Sequence, residues 1–281
     1  MDPAIPPKPI ISVEMQRVVA IGRIAVHHAA GRSRLARLYQ EGAAKIRMPA
    51  VSADPFEAVL INTAGGLTGG DRLSWQVDIG DGASASLTTQ ACEKVYRASD
   101  GQAEVSCGFD VGRGASLAWL PQETIVYRGG ALTRRFDVDV ATGARLLMVE
   151  ATVFGRLAMG ETVDRGTFRD RWRVRCDGRL IHAEEFAVGP EIAATLARRA
   201  SADGAAAVAT VLLVADDPGL HLEAVREIVG DRGAASAWSV GGSGKLLARL
   251  VAEDGYSLRK RLVPLLGLLN GKAGLPKTWS L

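Results

Sequence analysis

The stretch AEVSCGFDVGRGA, residues 103–115, decides the fold class. From Ala103 to Val111, apolar side chains occupy every second position and alternate with polar or small residues. Because successive side chains of a strand point to opposite faces, this period predicts a β-strand with one buried face. The dipeptide Gly114-Ala115 then marks a turn, where glycine tolerates a backbone conformation that other residues avoid. A second predicted strand follows the turn.

The same unit occurs twice more along the chain. Residues 73–79 and 136–140 alternate in the same way and lead to the turns Gly82-Ala83 and Gly143-Ala144. The three turn glycines lie 32 and 29 residues apart, within the range typical of repeated β units. Residues 13–215 are therefore predicted to form a mainly β fold of stacked or coiled sheets, resembling a β-helix. Each unit ends near an arginine, in the pairs Tyr96-Arg97, Tyr127-Arg128 and Gly155-Arg156.

Length and composition favour a single domain over residues 13–281. Of the 281 residues, 47% are hydrophobic, which is enough for a core, and no linker-like composition divides the chain. Residues 1–12 begin with a proline-rich segment that lacks the apolar region of a signal peptide, and we interpret them as a flexible tail. The formal charge is only +3 and aromatic residues make up 5%, so no nucleic-acid partner is expected.

The cellular location predicted from these features is the cytoplasm. No apolar run approaches the roughly 20 residues that cross a bilayer, so no membrane association is expected. Cys92, Cys107 and Cys176 lie far apart without a C-x-x-C motif, which argues against a disulfide framework or a zinc finger.

The C-terminal part is predicted to add two α-helices to the β region. Residues 220–229 carry apolar side chains at helical spacing, with acidic residues and Pro218 before them and Gly230 after them. Residues 256–270 indicate a second helix, broken or kinked at Pro264 and ended by Gly271. A strand is predicted between them, over residues 245–252.

Two glycine-rich segments have the composition of phosphate-binding loops. Residues 241–245 (GGSGK) lack the earlier glycine and the later serine or threonine of a P-loop, because Ser239 and Leu246 stand at those positions. Residues 62–71 (NTAGGLTGGD) are followed by a strand, so no helix N-terminus is available to bind an anion. Both segments are interpreted as turns, and Asp71 is predicted to cap its turn through the side chain.

Residue types that carry catalysis or bind metal tightly are sparse. Neither a G-x-S-x-G nor an H-E-x-x-H motif occurs, and the chain has only four histidines. His182 and Glu184 share a predicted strand face and form either a weak site for a divalent cation or, more simply, a hydrogen-bonded polar pair. The chain is therefore not expected to be an enzyme.

Arginine occupies every second position from residue 169 to residue 175. A strand there places Arg169, Arg171, Arg173 and Arg175 on one face, with Trp172 on the other. Two interpretations are equally favoured. Either the charges keep an edge strand from pairing with another chain, or the guanidinium groups bind carboxylates of a protein partner.

Several long motifs in fixed order resemble the UreD family of urease accessory proteins, also called UreH. The resemblance extends from about Val13 to the end of the chain and implies a β-rich, helix-like stack of strands with two helices. Its most specific segments are LINTAGGLTGGDRL (60–73), TTQACEKVYR (88–97), WLPQETI (119–125), GRLAMGE (155–161) and RDRWR (169–173).

The resemblance implies a non-catalytic role in the maturation of urease. Members of the family form a complex with UreF and with the GTPase UreG, and this complex docks on apo-urease. Nickel reaches UreG from UreE and is inserted with GTP hydrolysis. GTP therefore belongs to the partner, and no cofactor is expected to be bound stably by this chain. The alternative is a purely structural adaptor that recruits the GTPase without contacting metal.

In a model proposed for the family, nickel passes through a polar internal tunnel. A moving cation needs weak and spaced ligands rather than a tight cage. The acidic residues at motif-matched positions that meet this requirement best are Asp71, Glu93 and Glu184, and Cys92, Glu123 and Glu161 are weaker candidates.

Overall fold

The computed structural model describes residues 16–49, 54–156 and 159–280. The tail predicted for residues 1–12 lies outside these ranges. Within them the chain forms strands β1 (Val19–Ala29), β2 (Arg32–Glu41), β3 (Ala44–Arg47), β4 (Phe56–Asn62), β5 (Arg72–Ile79), β6 (Ser84–Thr89), β7 (Glu93–Val95), β8 (Ala103–Val111), β9 (Ser116–Leu120), β10 (Thr124–Val126), β11 (Ala131–Val140), β12 (Arg145–Phe154), β13 (Thr167–Cys176), β14 (Arg179–Val188), β15 (Ala207–Ala215), β16 (Gly233–Val240) and β17 (Ser243–Ala252). The α-helices are α1 (Ile192–Leu196), α2 (Leu222–Val229) and α3 (Gly255–Asn270).

The strands form two sheets. The order in the seven-stranded sheet is β14-β13-β11-β8-β5-β1-β2, and in the ten-stranded sheet it is β16-β17-β15-β12-β9-β6-β4-β3, with β10 paired to β12 and β7 paired to β10. The middle strands of both sheets run parallel to their neighbours. Each repeat unit places its first strand in the seven-stranded sheet and its second strand in the ten-stranded sheet. The predicted stack of coiled β units is thereby confirmed.

The Gly-Ala turns connect the two sheets at one end of each unit. Gly82, Gly114 and Gly143 have positive φ angles of 68°, 61° and 78°, which glycine adopts at little cost. Successive turns also bond to each other, because Ser116 donates its N–H to the Ala83 carbonyl (2.8 Å) and Arg145 donates to the Ala115 carbonyl (2.9 Å). The turns therefore set both the fold-back of each unit and the spacing between units.

The main hydrophobic core lies between the two sheets. The alternating side chains predicted from the sequence point inward, and the aromatic rings of neighbouring units meet there. The ring centroids of Phe109 and Phe136 are 5.8 Å apart, and those of Phe136 and Trp172 are also 5.8 Å apart; both pairs are in edge-to-face arrangement. Burying one such ring stabilises the fold by roughly 1.5–3 kcal/mol relative to leaving it exposed. Cys107, as expected, belongs to this core.

A second hydrophobic layer covers the outer face of the ten-stranded sheet. Helices α2 and α3 pack there on β12, β15 and β17, with Leu147, Val149 and Leu213 as buried members of the sheet face. Trp279 closes this layer: its ring is buried and its indole N–H donates to the Leu120 carbonyl (2.9 Å).

Both predicted C-terminal helices are present, but α3 continues through Pro264. The Asp254 carboxylate caps its start by accepting the Ser257 N–H (2.6 Å), and Gly271 ends it with φ 58°. Proline inside a helix costs about 3 kcal/mol. Five buried leucines on α3 offset that cost, so the predicted break at Pro264 is wrong, while the alternative, a kink, stays a prediction. Among the described residues, no helix is both long and apolar enough to cross a membrane.

Candidate functional site

The glycine-rich segment of residues 62–71 is a loop between β4 and β5, and Asp71 holds its end in place. Asp71 Oδ1 accepts the N–H of Val18 and Oδ2 accepts the N–H of Thr68, each at 2.8 Å. The side chain is buried, at 4% exposure. The prediction that Asp71 caps this turn is confirmed, and its carboxylate also ties the loop to the segment before β1.

Glu93, on the short strand β7, faces the interior beside this loop. The Asn62 amide nitrogen lies 3.1 and 3.2 Å from its two carboxylate oxygens. Burial raises the pKa of Glu93 to about 7, and the Asn62 hydrogen bond opposes that rise only in part. Glu93 therefore binds a proton more readily than an exposed glutamate does.

A buried ion cluster lies deeper between the sheets, centred on Arg134 of β11. Its Nη2 lies 2.6 Å from Asp170 Oδ2 and its Nη1 lies 2.6 Å from Glu150 Oε2, the latter without the alignment of a hydrogen bond. Trp119 donates its indole N–H to Glu150 Oε1 (2.8 Å). One cation thus balances two carboxylates. Burial is the main reason that the pKa of Glu150 is raised above its ordinary value, and the Arg134 charge opposes the rise.

Glu93 and Glu150 line the same pocket between the sheets. Its volume is about 50 Å³, room for a few water molecules, and Thr89, Cys107 and Arg134 also lie on its wall. Burial raises the pKa of the Cys107 thiol well above its ordinary value, with Glu150 adding to the effect. The cavity therefore offers carboxylate and hydroxyl oxygens together with a protonated thiol.

Cys92 and Glu123 form a second polar group on the other side of β7 and β10. Cys92 Sγ donates to Glu123 Oε2 (3.4 Å), and Arg259 of α3 lies 3.1 Å from the same oxygen. Burial, followed by the Glu123 charge, raises the pKa of Cys92 to about 11. Because thiolate rather than thiol binds metal, Cys92 is a poor ligand at neutral pH. The other Glu123 oxygen is buried and has no hydrogen-bond partner among the described residues.

His182 and Glu184 lie on β14, on the face that points into the molecule. Glu184 is buried at 6% exposure and its Oε2 lies 2.5 Å from Arg249 of β17. Burial, followed by the charge of Lys245, lowers the pKa of His182 to about 4, so its imidazole is neutral. Across residues 16–49, 54–156 and 159–280, no three His, Cys, Asp or Glu side chains come close enough to hold a metal ion.

Comparison with known proteins gives the family. The UreD urease accessory protein family matches residues 19–280 of the chain. The chain belongs to the UreD family. It is similar to "Urease accessory protein UreD" of Mesorhizobium japonicum, with 64% identity over 266 residues that cover 95% of both chains. "Urease accessory protein UreD 1" of Brucella anthropi is 58% identical over 275 residues, 96% of this chain and 97% of the other. The UreD of Brucella suis is 56% identical over 271 residues.

The UreD fold brings only some of the predicted acidic residues together. Cys92 and Glu123 contact each other, while Glu93 faces the pocket between the sheets, beside the loop that carries Asp71. Glu184 lies on β14 in a separate ion pair. Glu161 lies near the surface, 2.8 Å from Arg156, and this hydrogen bond is the first reason that its pKa is lowered. The predictions of nickel-path residues remain predictions, and the structure describes different surroundings for each.

The arginine stripe of this UreD chain lies on one face of β13, as predicted, but β13 is not an edge strand. It lies between β11 and β14 in the seven-stranded sheet, so the interpretation as a charged edge is wrong. Arg169 and Arg173 both approach Glu185 of β14, at 2.5 and 3.6 Å. Arg175 lies 3.9 Å from Asp137 of β11. Arg171 makes no ion pair within the described part of the chain, so it remains available to a partner.

Sequence reasoning missed the ion cluster of Arg134, Glu150 and Asp170. A signal was present, because each of these charges occupies an inward position of a strand whose other inward residues are apolar. Arg134 stands between Leu132 and Phe136 in the alternation of β11. Asp170 stands between Phe168 and Trp172 in β13. Charged residues at such positions are rare unless they are paired.

Proposed function

We propose that this chain is a urease maturation factor that acts in the cytoplasm. It joins UreF and the GTPase UreG on apo-urease for GTP-dependent insertion of nickel that UreE supplies. The relatives' name, urease accessory protein, supports the role in maturation. GTP binds to the partner rather than to this chain. In agreement with that assignment, residues 241–245 comprise the hairpin turn Gly241-Gly242 and the start of β17, not a strand-to-helix junction.

Nickel is the cargo of this chain and moves through its polar interior. The observation that carries this proposal is that the Glu93 and Glu150 carboxylates face one pocket between the sheets, where burial raises the pKa of both. Two carboxylates with protons that leave readily provide oxygen ligands, while the protonated thiols of Cys92 and Cys107 bind nickel weakly. Weak ligands allow a cation to pass on, whereas a thiolate cage retains it.

The residues differ in how well they suit a nickel path. Asp71 uses both oxygens to hold backbone N–H groups, so a cation at Asp71 would have to share them. Glu123 offers one buried oxygen without a partner among the described residues. Glu93 and Glu150, which face the same pocket, are therefore the ligands that the geometry favours, and Asp71 orients the loop beside Glu93.

The test uses a urease-producing strain without this gene, complemented with single variants. Glu93→Gln and Glu150→Gln keep the side-chain size and some hydrogen bonds but remove the negative charge. Glu227→Gln, at an exposed position of α2, is the matched control. Nickel per purified urease is measured by mass spectrometry, and assembly with UreF and UreG by co-purification.

The expected result is intact assembly with urease that holds less than half of its normal nickel for the two interior variants. The control should restore the nickel content fully. If both interior variants assemble and restore normal nickel, the chain is not a conduit.

The second candidate function is a purely structural adaptor that recruits the GTPase without contacting metal. One observation favours it: Arg134 places a permanent cation on the cavity wall and pairs with both Glu150 and Asp170. A positive charge there repels nickel unless the carboxylates outweigh it. The adaptor predicts full nickel content for both interior variants, so the same experiment separates the two functions.

A further inference from the structure

The repeat units end at one corner of the molecule, where β7, β10 and β12 lie side by side. In their parallel register Val95 pairs with Val126 and Val126 pairs with Phe154. The residues that follow these positions are therefore neighbours as well. Tyr96, Tyr127 and Gly155 form one row, and Arg97, Arg128 and Arg156 form the next.

These rows build a surface patch, here called the tyrosine ladder and made of Tyr96, Tyr127, Arg156 and Met159, in which Tyr127 is half-buried and the other three side chains are exposed. The Tyr96 and Tyr127 rings meet edge to face with centroids 5.2 Å apart. The Arg156 guanidinium lies 4.4 Å from the centroid of the Tyr127 ring. Met159 extends the surface and is 73% exposed.

Glycine at position 155 makes this arrangement possible. Its φ is +92°, and a Cβ there would lie 2.6 Å from the Glu161 carbonyl oxygen. No third ring stands beside Tyr127, so the Arg156 side chain can cover it. Glu161 then holds Arg156 in place, because Arg156 Nε lies 2.8 Å from Glu161 Oε2.

The ladder is held in place before any partner arrives. The Tyr96 ring packs on Gly66, where a Cβ would come within 2.4 Å of the ring, and its hydroxyl donates to the Gly65 carbonyl (3.4 Å). Ordered aromatic side chains lose little conformational entropy on binding. Yet Tyr96 remains 40% exposed, so this order does not serve the core.

The chemistry of the surface indicates a protein partner. Tyrosine and arginine are the residue types enriched at the energetic centres of protein interfaces, and methionine is also enriched there. The charges around the ladder are in positive excess. Arg128 and Arg156 pair with Asp164 and Glu161. The exposed residues Lys94, Arg97 and Arg165 make no ion pair within the described part of the chain.

We propose that the tyrosine ladder and Arg97 dock a protein surface that presents carboxylates around an apolar side chain. The apolar group packs on the two rings, and the carboxylates bind the guanidinium groups at the rim. Glu93 and Lys94 both lie on β7, the short strand that Tyr96 directly follows, so the acidic pocket and the ladder are close along the chain. On the proposed function, on which this step rests, the partner therefore covers the end of the molecule closest to the acidic cavity.

The experiment measures binding of the full chain to purified UreF and, separately, to purified apo-urease by biolayer interferometry. The ladder variants are Tyr127→Ala and Arg97→Glu. Matched controls are Tyr256→Ala, an exposed tyrosine that also contacts a cation, and Arg113→Glu, an exposed arginine beside the turn at the opposite end of a unit. Circular dichroism checks that each variant folds, and light scattering measures self-association.

Both ladder variants should raise the Kd for at least one of the two proteins tenfold or more, and the controls should change it less than twofold. Arg97→Glu should also reduce the loss of affinity that added salt causes. Since the Arg97 side chain is exposed, its reversal tests the surface even if Tyr127→Ala folds poorly. Unchanged affinity for both proteins, or a change in self-association alone, overturns the docking surface.

Failure of the surface and failure of the proposed function give different results. If the ladder variants bind normally but Glu93→Gln leaves urease poor in nickel, the docking surface is wrong and the conduit stands. If the ladder variants lose binding and Glu93→Gln restores nickel fully, the surface stands and the chain acts as an adaptor.

Discussion

Replacing Arg134 by methionine removes the one cation that two buried carboxylates share. Asp170 depends on it completely, because its two oxygens lie 3.2 and 2.6 Å from the Arg134 nitrogens Nε and Nη2. Glu150 retains the Trp119 N–H, and because burial already raises its pKa, it can take up a proton when Arg134 is removed. The loss of stability therefore comes mainly from the uncompensated charge of Asp170.

The expected loss in the free energy of unfolding follows from this arrangement. Breaking a buried ion pair by removing one partner costs about 3–5 kcal/mol. The contacts of the guanidinium with the Phe136 and Phe168 rings, 5.5 and 5.7 Å away, add about 0.5–1 kcal/mol each, which methionine packing restores in part. We expect a loss of about 4 kcal/mol, against a total stability of about 5–15 kcal/mol.

Urea unfolding followed by tryptophan fluorescence at pH 7.5 measures the loss. Asp170→Asn in the Arg134→Met background should recover part of it, because the uncompensated charge is then gone. The coupling between the two changes should be about 1–3 kcal/mol. Arg171→Met, exposed on the next strand, should stay within about 0.5 kcal/mol of the unchanged chain. A loss below 1 kcal/mol for Arg134→Met, or strictly additive changes, would refute the shared-cation account.

Three further predictions concern single groups. The pKa of Glu93 rises from 4.5 to about 7 on folding, so the folded state binds the extra proton and stability falls as pH rises through that window, by up to about 3 kcal/mol. Glu93→Gln should flatten this part of the stability profile in urea titrations, and an unchanged slope would contradict the assignment. Gly155→Ala should cost at least about 2 kcal/mol, since φ is +92° and the backbone leaves no room, whereas Gly143→Ala, with open space around it, should cost less in the same denaturation assay. Because the pKa of Cys92 is about 11, its alkylation by iodoacetamide at pH 8 should be on the order of 100-fold slower than that of a free peptide thiol, as peptide mapping can show; equal rates would mean that the thiol is not buried beside Glu123.

The β-stack was predictable because its signals are local. The alternation over residues 103–111 indicates which face of one strand is buried, and Gly114 indicates the turn that follows it. The repetition of this pattern indicated stacking, since a single unit cannot bury its own apolar face. Asp71 was also predictable as a turn cap, because its hydrogen bond to Thr68 spans only three residues.

The ion cluster and the position of β13 depended on long-range neighbours. Arg134 meets Asp170 because β11 and β13 are adjacent and in register, and it meets Glu150 because β12 lies in the opposite sheet. The periodicity of a single strand indicates neither which strand pairs with it nor which strand lies opposite it in the other sheet. The edge-strand interpretation of residues 169–175 failed for the same reason. The charge pattern of a solvent-facing strand is the same at the edge and in the middle of a sheet, and only the pairing of β14 decides.

The helical layer has a consequence for the order in which the protein is made. The outer face of the ten-stranded sheet, with Leu147, Val149 and Leu213, leaves the ribosome before the segment that covers it. That cover extends from α2 to Trp279, and at 5–20 residues per second its synthesis takes on the order of 3–10 s. During this interval the strands up to β15 carry a bare apolar side, because β16 and β17, which complete the sheet, belong to the segment that is still being made. Protection of newborn chains from aggregation is therefore most critical just before the last fifth of the sequence emerges.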